Sequence, residues 1–167
     1  NPDRSLVDAM LGMKDCIDLL IPRGGDGLIR FVAENATMPA VTGGIGVCHT
    51  YIDRGAELEK AANIVFNAKT QRPSVCNALD TILVHVNAAP ACLPRIAEEL
   101  TRAGVELHCD HRALSILGPH PSGGGRTEDA KVIPANEDDW GREYLSMTAA
   151  IKVVDSLNDA LGHIETY

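Results

Sequence analysis

A chain of 167 residues, 45% hydrophobic and 23% charged, has the composition of a folded globular protein and the length for one domain or one domain and part of another. A formal net charge of −8 argues against binding nucleic acid through its phosphate backbone, while no apolar run reaches the roughly 18–20 residues that span a bilayer. The first residues lack the basic and apolar regions of a signal peptide, and the five cysteines follow no disulfide or CxxC metal pattern, so a reducing, cytoplasmic location is expected.

In chain order, Asp3 is placed to cap a helix running to Leu11, with Leu6, Val7, Met10 and Leu11 on one face. Ile17–Ile21 reads as a buried strand ended by Pro22 and Gly24-Gly25. Helical spacing resumes over Gly27–Glu34, and Met38–Val41 reads as the next strand. After the Gly43-Gly44-Ile45-Gly46 turn, a strand is expected over Val47–Ile52 and a helix over Glu57–Lys69, stopped by Pro73.

Asp80–Val86 has the composition of a strand buried on both faces. Leu93–Ala103 predicts a helix closed by Gly104, and Val105–Cys109 the strand after it. Glycine and proline crowd residues 118–139, which read as a loop with a short strand at Lys131–Ile133. Ile151–Val154 predicts a further strand, and Ser156 and Asp159 have capping-box spacing for a terminal helix through His163. Strand–helix alternation of this kind implies an α/β fold with a mostly parallel sheet and flanking helices.

Three places invite chemistry. In Asn67-Ala68-Lys69-Thr70-Gln71-Arg72-Pro73-Ser74-Val75-Cys76-Asn77, a helix ends, a proline forces an irregular turn and a cysteine precedes a buried strand. Such a loop can present a thiol to a cleft, and Lys69 and Arg72 would favour its thiolate if folded inward; a buried core cysteine is the competing reading. Ile21-Pro22-Arg23-Gly24-Gly25-Asp26-Gly27 is a strand–turn–helix sequence whose amides suit a dinucleotide phosphate, although a plain tight turn needs the same glycines. His108-Cys109-Asp110-His111 has metal-like spacing, but without a second cluster a strand-end loop is the better reading, and no metal is expected.

Taken together, the blocks Asn1–Arg4, Ile17–Gly25, Thr42–His49, Asn67–Asn77 and Gly104–His108 resemble the γ-glutamyl phosphate reductase family of the aldehyde dehydrogenase superfamily. The resemblance covers essentially the whole chain and weakens over residues 118–129. It implies an aldehyde dehydrogenase-like fold, with residues 1–46 the end of a Rossmann-like NADP-binding domain and 47–167 the catalytic domain. Cys76 matches the family nucleophile; Arg23, Gly24, Gly25 and Gly27 fall where the cofactor domain approaches the dinucleotide; and Glu143 falls near a glutamate that contacts the nicotinamide ribose. Lys69 and Arg72 become candidates for attracting the acyl phosphate or the substrate carboxylates.

The implied reaction is NADPH-dependent conversion of γ-glutamyl phosphate to glutamate 5-semialdehyde in proline biosynthesis, through a thioacyl intermediate on Cys76. Where hydrolytic relatives carry a water-activating glutamate, Val41 and Thr42 stand here, as suits a thioester that awaits hydride. Another acyl-phosphate or acyl-thioester reductase, or a non-catalytic descendant of the fold, are the competing readings. The resemblance implies a homo-oligomer for the full-length protein, and, because the family is longer than this chain and half the cofactor site lies outside it, little turnover of these 167 residues alone is expected.

Overall fold

The computed structural model describes residues 5–43, 46–118 and 132–167, with Asp26 described by its backbone only. Expectations that rest on Asn1–Arg4, on Gly44 and Ile45, and on residues 119–131 lie outside them. The chain divides into two compact units, Asn1–Ile45 and Gly46–Tyr167.

In the first unit, α1 (Ser5–Leu11) and α2 (Asp26–Asn35) bury Leu11 and Val32 together with Met38. Thr37 fastens the end of α1, donating both its N–H and its hydroxyl to the Leu11 carbonyl at 2.9 and 2.7 Å. The two strands expected here reduce to one parallel bridge, Leu20 with Ala40. Leu19 and Ile21 are 49% and 59% exposed, which corrects the expectation of a buried strand. A continuous apolar run is buried only where both faces of a sheet are covered, and within this unit each segment has a single partner.

The second unit is built on five parallel strands: β1 (His49–Ile52), β2 (Thr81–His85), β3 (Glu106–Cys109), β4 (Val132–Pro134) and β5 (Thr148–Val154). Their order is β1-β2-β5-β3-β4, so the last strand in sequence inserts at the centre. Helices α3 (Leu58–Thr70), α4 (Ala89–Arg102) and α5 (His111–Leu117) share one large core with Ile82, Val84, Leu107 and Ile151. Ala160 of α6 (Leu157–Thr166) joins a smaller cluster with Leu83 and Val154. Alternation along β2 sends Ile82 and Val84 to one cluster and Leu83 to the other, which is why its apolar run is unbroken. Each such fully buried Ile or Leu contributes about 1.5–3 kcal/mol.

Local chemistry sets the helix ends. Helix α4 starts one turn before the expected Leu93 because Pro90 occupies its first turn, where no N–H is needed. It stops at Gly104, whose φ of +87° lets Val105 donate back to the Leu100 carbonyl at 3.0 Å. Asp110 caps α5 by accepting from the Ala113 N–H at 2.8 Å, and Ser156 caps α6 by accepting from Asp159 at 3.1 Å. No helix among the described residues is long and apolar enough to cross a membrane.

Candidate active site

The segments that lead into β1, β2 and β5 converge at the amino ends of those strands. Asp80, 1% exposed, is their common anchor. Its Oδ2 accepts from the Cys48 N–H at 3.1 Å and its Oδ1 from the Tyr144 N–H at 3.0 Å. Its own N–H and that of Thr81 donate to the Cys48 carbonyl, both at 3.0 Å, and its carbonyl accepts from Ala150 at 2.8 Å. A buried carboxylate with its oxygens engaged in this way holds three stretches of chain in one register.

The Cys76 loop hangs between α3 and this anchor. Within it Val75 donates to the Arg72 carbonyl at 3.4 Å and Ala78 to the Val75 carbonyl at 3.0 Å. The Leu79 peptide is gripped on both sides by the end of α3: its N–H donates to the Ala68 carbonyl at 3.0 Å, and its carbonyl accepts from Lys69 Nζ at 2.8 Å. Cys76 is exposed at the loop surface, while the Cys48 thiol donates to the Cys76 carbonyl at 3.4 Å. Burial, with the Asp80 charge second, pushes the Cys48 thiol up, so Cys48 is a neutral neighbour. Cys92 and Cys109 are core residues, the latter driven by burial to about 12.

Of the two basic side chains, Arg72 is exposed and available to an anion. Lys69 meets a different geometry from the one its substrate reading requires: it is 0% exposed and its ammonium is committed to Leu79. Burial lowers its pKa, opposed by the Asp80 charge and then by Cys48. Glu143 is half-buried, and its neighbour Tyr144 is tied to Asp80.

Sequence reasoning missed Asp80, Tyr144 and Asp139. The Tyr144 hydroxyl donates to Asp139 Oδ1 at 3.1 Å, and its ring stands 5.8 Å from Lys69 Nζ. Asp139 also pairs with His108 Nδ1 at 2.7 Å, while His108 Nε2 contacts Glu106 at 2.8 Å. Both His108 nitrogens therefore have carboxylate partners, Cys109 is in the core, and Asp110 caps α5 while accepting from Val153 at 3.2 Å. The one local signal for that cap was an aspartate three residues before a helical amide. Lys69 with Asp80 and Tyr144 had none, because their contacts cross long stretches of sequence.

In the first unit, the Arg23–Gly27 turn opens α2 with Gly25 as N-cap and no side-chain hydrogen bond. A Cβ on Gly24 would meet Leu28 Cδ2 at 2.8 Å, whereas Gly25 and Gly27 face open space. A side chain at Gly24 would have to displace the end of Leu28, which is 38% exposed, and the other two glycines leave the helix amides approachable.

No protein-family model matches the chain. The fold is that of the aldehyde dehydrogenases: the acetylating aldehyde dehydrogenase of Geobacillus thermoglucosidasius superposes with a TM-score of 0.66, 17% identity, over 99% of this chain and 41% of its own. In sequence the chain is similar to γ-glutamyl phosphate reductases. The chain is 52% identical over all 167 residues to the γ-glutamyl phosphate reductase of Dehalococcoides mccartyi, spanning 38% of its length. A crystal structure of γ-glutamyl phosphate reductase from Thermotoga maritima matches with a TM-score of 0.86 at 45% identity, over 100% of this chain and 37% of that one. Along its whole length this chain is a homologue of γ-glutamyl phosphate reductase, as the sequence resemblance implied.

Proposed function

We propose that the polypeptide carrying this chain reduces γ-glutamyl phosphate to glutamate 5-semialdehyde with NADPH, and that Cys76 is its nucleophile. The observation that carries this reading is Cys76 itself, exposed on a loop fixed at both ends, in a chain homologous to γ-glutamyl phosphate reductase. The Cys76 thiolate attacks the acyl carbon, a C–S bond forms, and the C–O bond to phosphate breaks with phosphate taking the electron pair. The exposed guanidinium of Arg72 is assigned to the departing phosphate or a substrate carboxylate.

Reduction of the thioester needs a hydride, which NADPH supplies when bound. Arg23, Gly24, Gly25 and Gly27 are assigned to its phosphates, since α2 opens there without a side-chain cap and with room beside Gly25 and Gly27. Glu143 is assigned to the nicotinamide ribose. The thiohemiacetal oxyanion re-forms its C=O bond as the C–S bond breaks with the Cys76 thiolate taking the electron pair, and the aldehyde leaves. Val41 and Thr42 stand at the positions where, by the resemblance, hydrolytic relatives carry a water-activating glutamate, and neither is a general base, which supports a thioester that awaits hydride.

The test is the reverse reaction: reduction of NADP⁺ by glutamate 5-semialdehyde, with and without inorganic phosphate, for the wild type and Cys76→Ser. Turnover that requires both phosphate and Cys76 is expected. Phosphate-independent turnover would mean that water resolves the thioester, and full activity of Cys76→Ser would remove the nucleophile.

A further inference from the structure

We infer that Lys69 and Asp80, buried together behind the Cys76 loop, are positioning residues that hold the nucleophile, Cys48 and the Glu143–Tyr144 segment in one fixed arrangement. The inference rests on Cys76 being the nucleophile. A lysine with no exposed surface is rare, because desolvating an ammonium costs far more than burying a hydrocarbon of the same length. Stability alone does not explain it, since buried ion couples are commonly replaced by apolar residues without loss. What this lysine does instead is geometric. Its bond to the Leu79 carbonyl and the Leu79 N–H bond to Ala68 grip the same peptide from both sides. Residues 68–79 become a closed ring with Cys76 on its rim.

Asp80 follows directly and extends the grip to the Cys48 and Tyr144 amides. Cys48 in turn donates to the Cys76 carbonyl, so the peptide that bears the nucleophile is also held from the segment that leads into β1. Electrostatics favour the same arrangement. Helix α3 ends at Thr70, which turns the negative end of its dipole toward this loop, and an ammonium in the last turn offsets it. Lys69 and Asp80 also sense one another, the carboxylate favouring the protonated lysine.

The experiment compares Lys69→Met, Lys69→Gln and the double variant Lys69→Met/Asp80→Asn with wild type in the polypeptide that carries this chain. Steady-state kcat and KM, the phosphate burst of the first turnover and the thermal midpoint are measured. A displaced nucleophile is expected to lower kcat and the burst rate about 100-fold while KM stays within about threefold. Lys69→Gln, which keeps a donor for the Leu79 carbonyl, should recover at least about tenfold of that loss. In the double variant an amide stands where a carboxylate took two backbone N–H bonds, so it should stay slow and keep a midpoint below that of the wild type. A folded variant with wild-type kcat, or a double variant that regains activity along with stability, overturns the inference. If Lys69→Met does not fold, Lys69→Gln and the double variant decide between the same two outcomes. Failure of the nucleophile reading is separate, because it shows as activity in Cys76→Ser.

Discussion

Tyr144 donates its backbone N–H to Asp80 Oδ1 at 3.0 Å, joining residues 64 positions apart. Its hydroxyl reaches the other way, to Asp139 at 3.1 Å. The segment that carries Glu143 is therefore strung between two buried carboxylates, one beside the Cys76 loop and one beside His108.

The second carboxylate sets one expectation. Asp139 accepts from the Asn136 N–H at 2.8 Å as well as pairing with His108 and Tyr144. Burial raises its pKa, and these bonds more than reverse that, holding it below the usual carboxylate range. Asp139→Asn presents an amide where an anion took three bonds, so a loss of roughly 2–4 kcal/mol is expected. Chemical denaturation measures it, and a change under about 0.5 kcal/mol would show that the site is not under this load.

Four of the five cysteines should react in a defined order with iodoacetamide. Cys16 and Cys76 are exposed and label first, and Cys48, half-buried and pushed up by burial and Asp80, labels later. Cys109, with a pKa of about 12, is thiolate in only about one molecule in 10⁴ at pH 8 and labels last. Peptide mass spectrometry over time reads the order; early labelling of Cys109 would contradict the fold.

The acid limb of stability is expected to include His163. It is buried, accepts from Lys152 Nζ at 3.3 Å through Nδ1, and packs against Trp140 with ring centres 5.5 Å apart. Desolvation, with the Lys152 charge second, lowers its pKa to about 4. The unfolded chain, titrating near 6.5, thus binds the proton more readily, so the contribution of His163 is whole above about 6.5 and is lost as pH falls toward 4. Each pH unit in that window costs at most about 1.4 kcal/mol. An NMR titration of His163 with its midpoint at or above 6.5 would refute this.

Local chemistry made parts of the fold legible. Gly104 marked the end of α4 and Ser156 with Asp159 marked the start of α6, because caps depend on residues a few positions apart. Cys76 stood out for the same reason: helix end, proline and strand are consecutive. The failures were non-local. Ile17–Ile21 has the composition of a core strand, yet burial depends on neighbours its own residues do not encode. Helix α5 was hidden by the metal-like look of His108–His111, although Asp110 is simply its cap. Lys69 read as a partner for the thiolate or the substrate because no local rule reveals a carbonyl ten residues on that takes its ammonium.

Cys48, Cys76 and Tyr144 all precede their strands, which places the proposed chemistry at the amino rim of the sheet. The opposite rim is left to plain connections such as the tight turn at Asp53–Ala56, where Ala56 donates to the Asp53 carbonyl at 3.0 Å and Arg54 and Gly55 are exposed. The four residues of β1 put about 13 Å of extended backbone between that turn and Cys48. A reporter peptide spliced between Arg54 and Gly55 would therefore ride on the rigid body of the sheet, with its attachment strain absorbed a full strand length from Cys48.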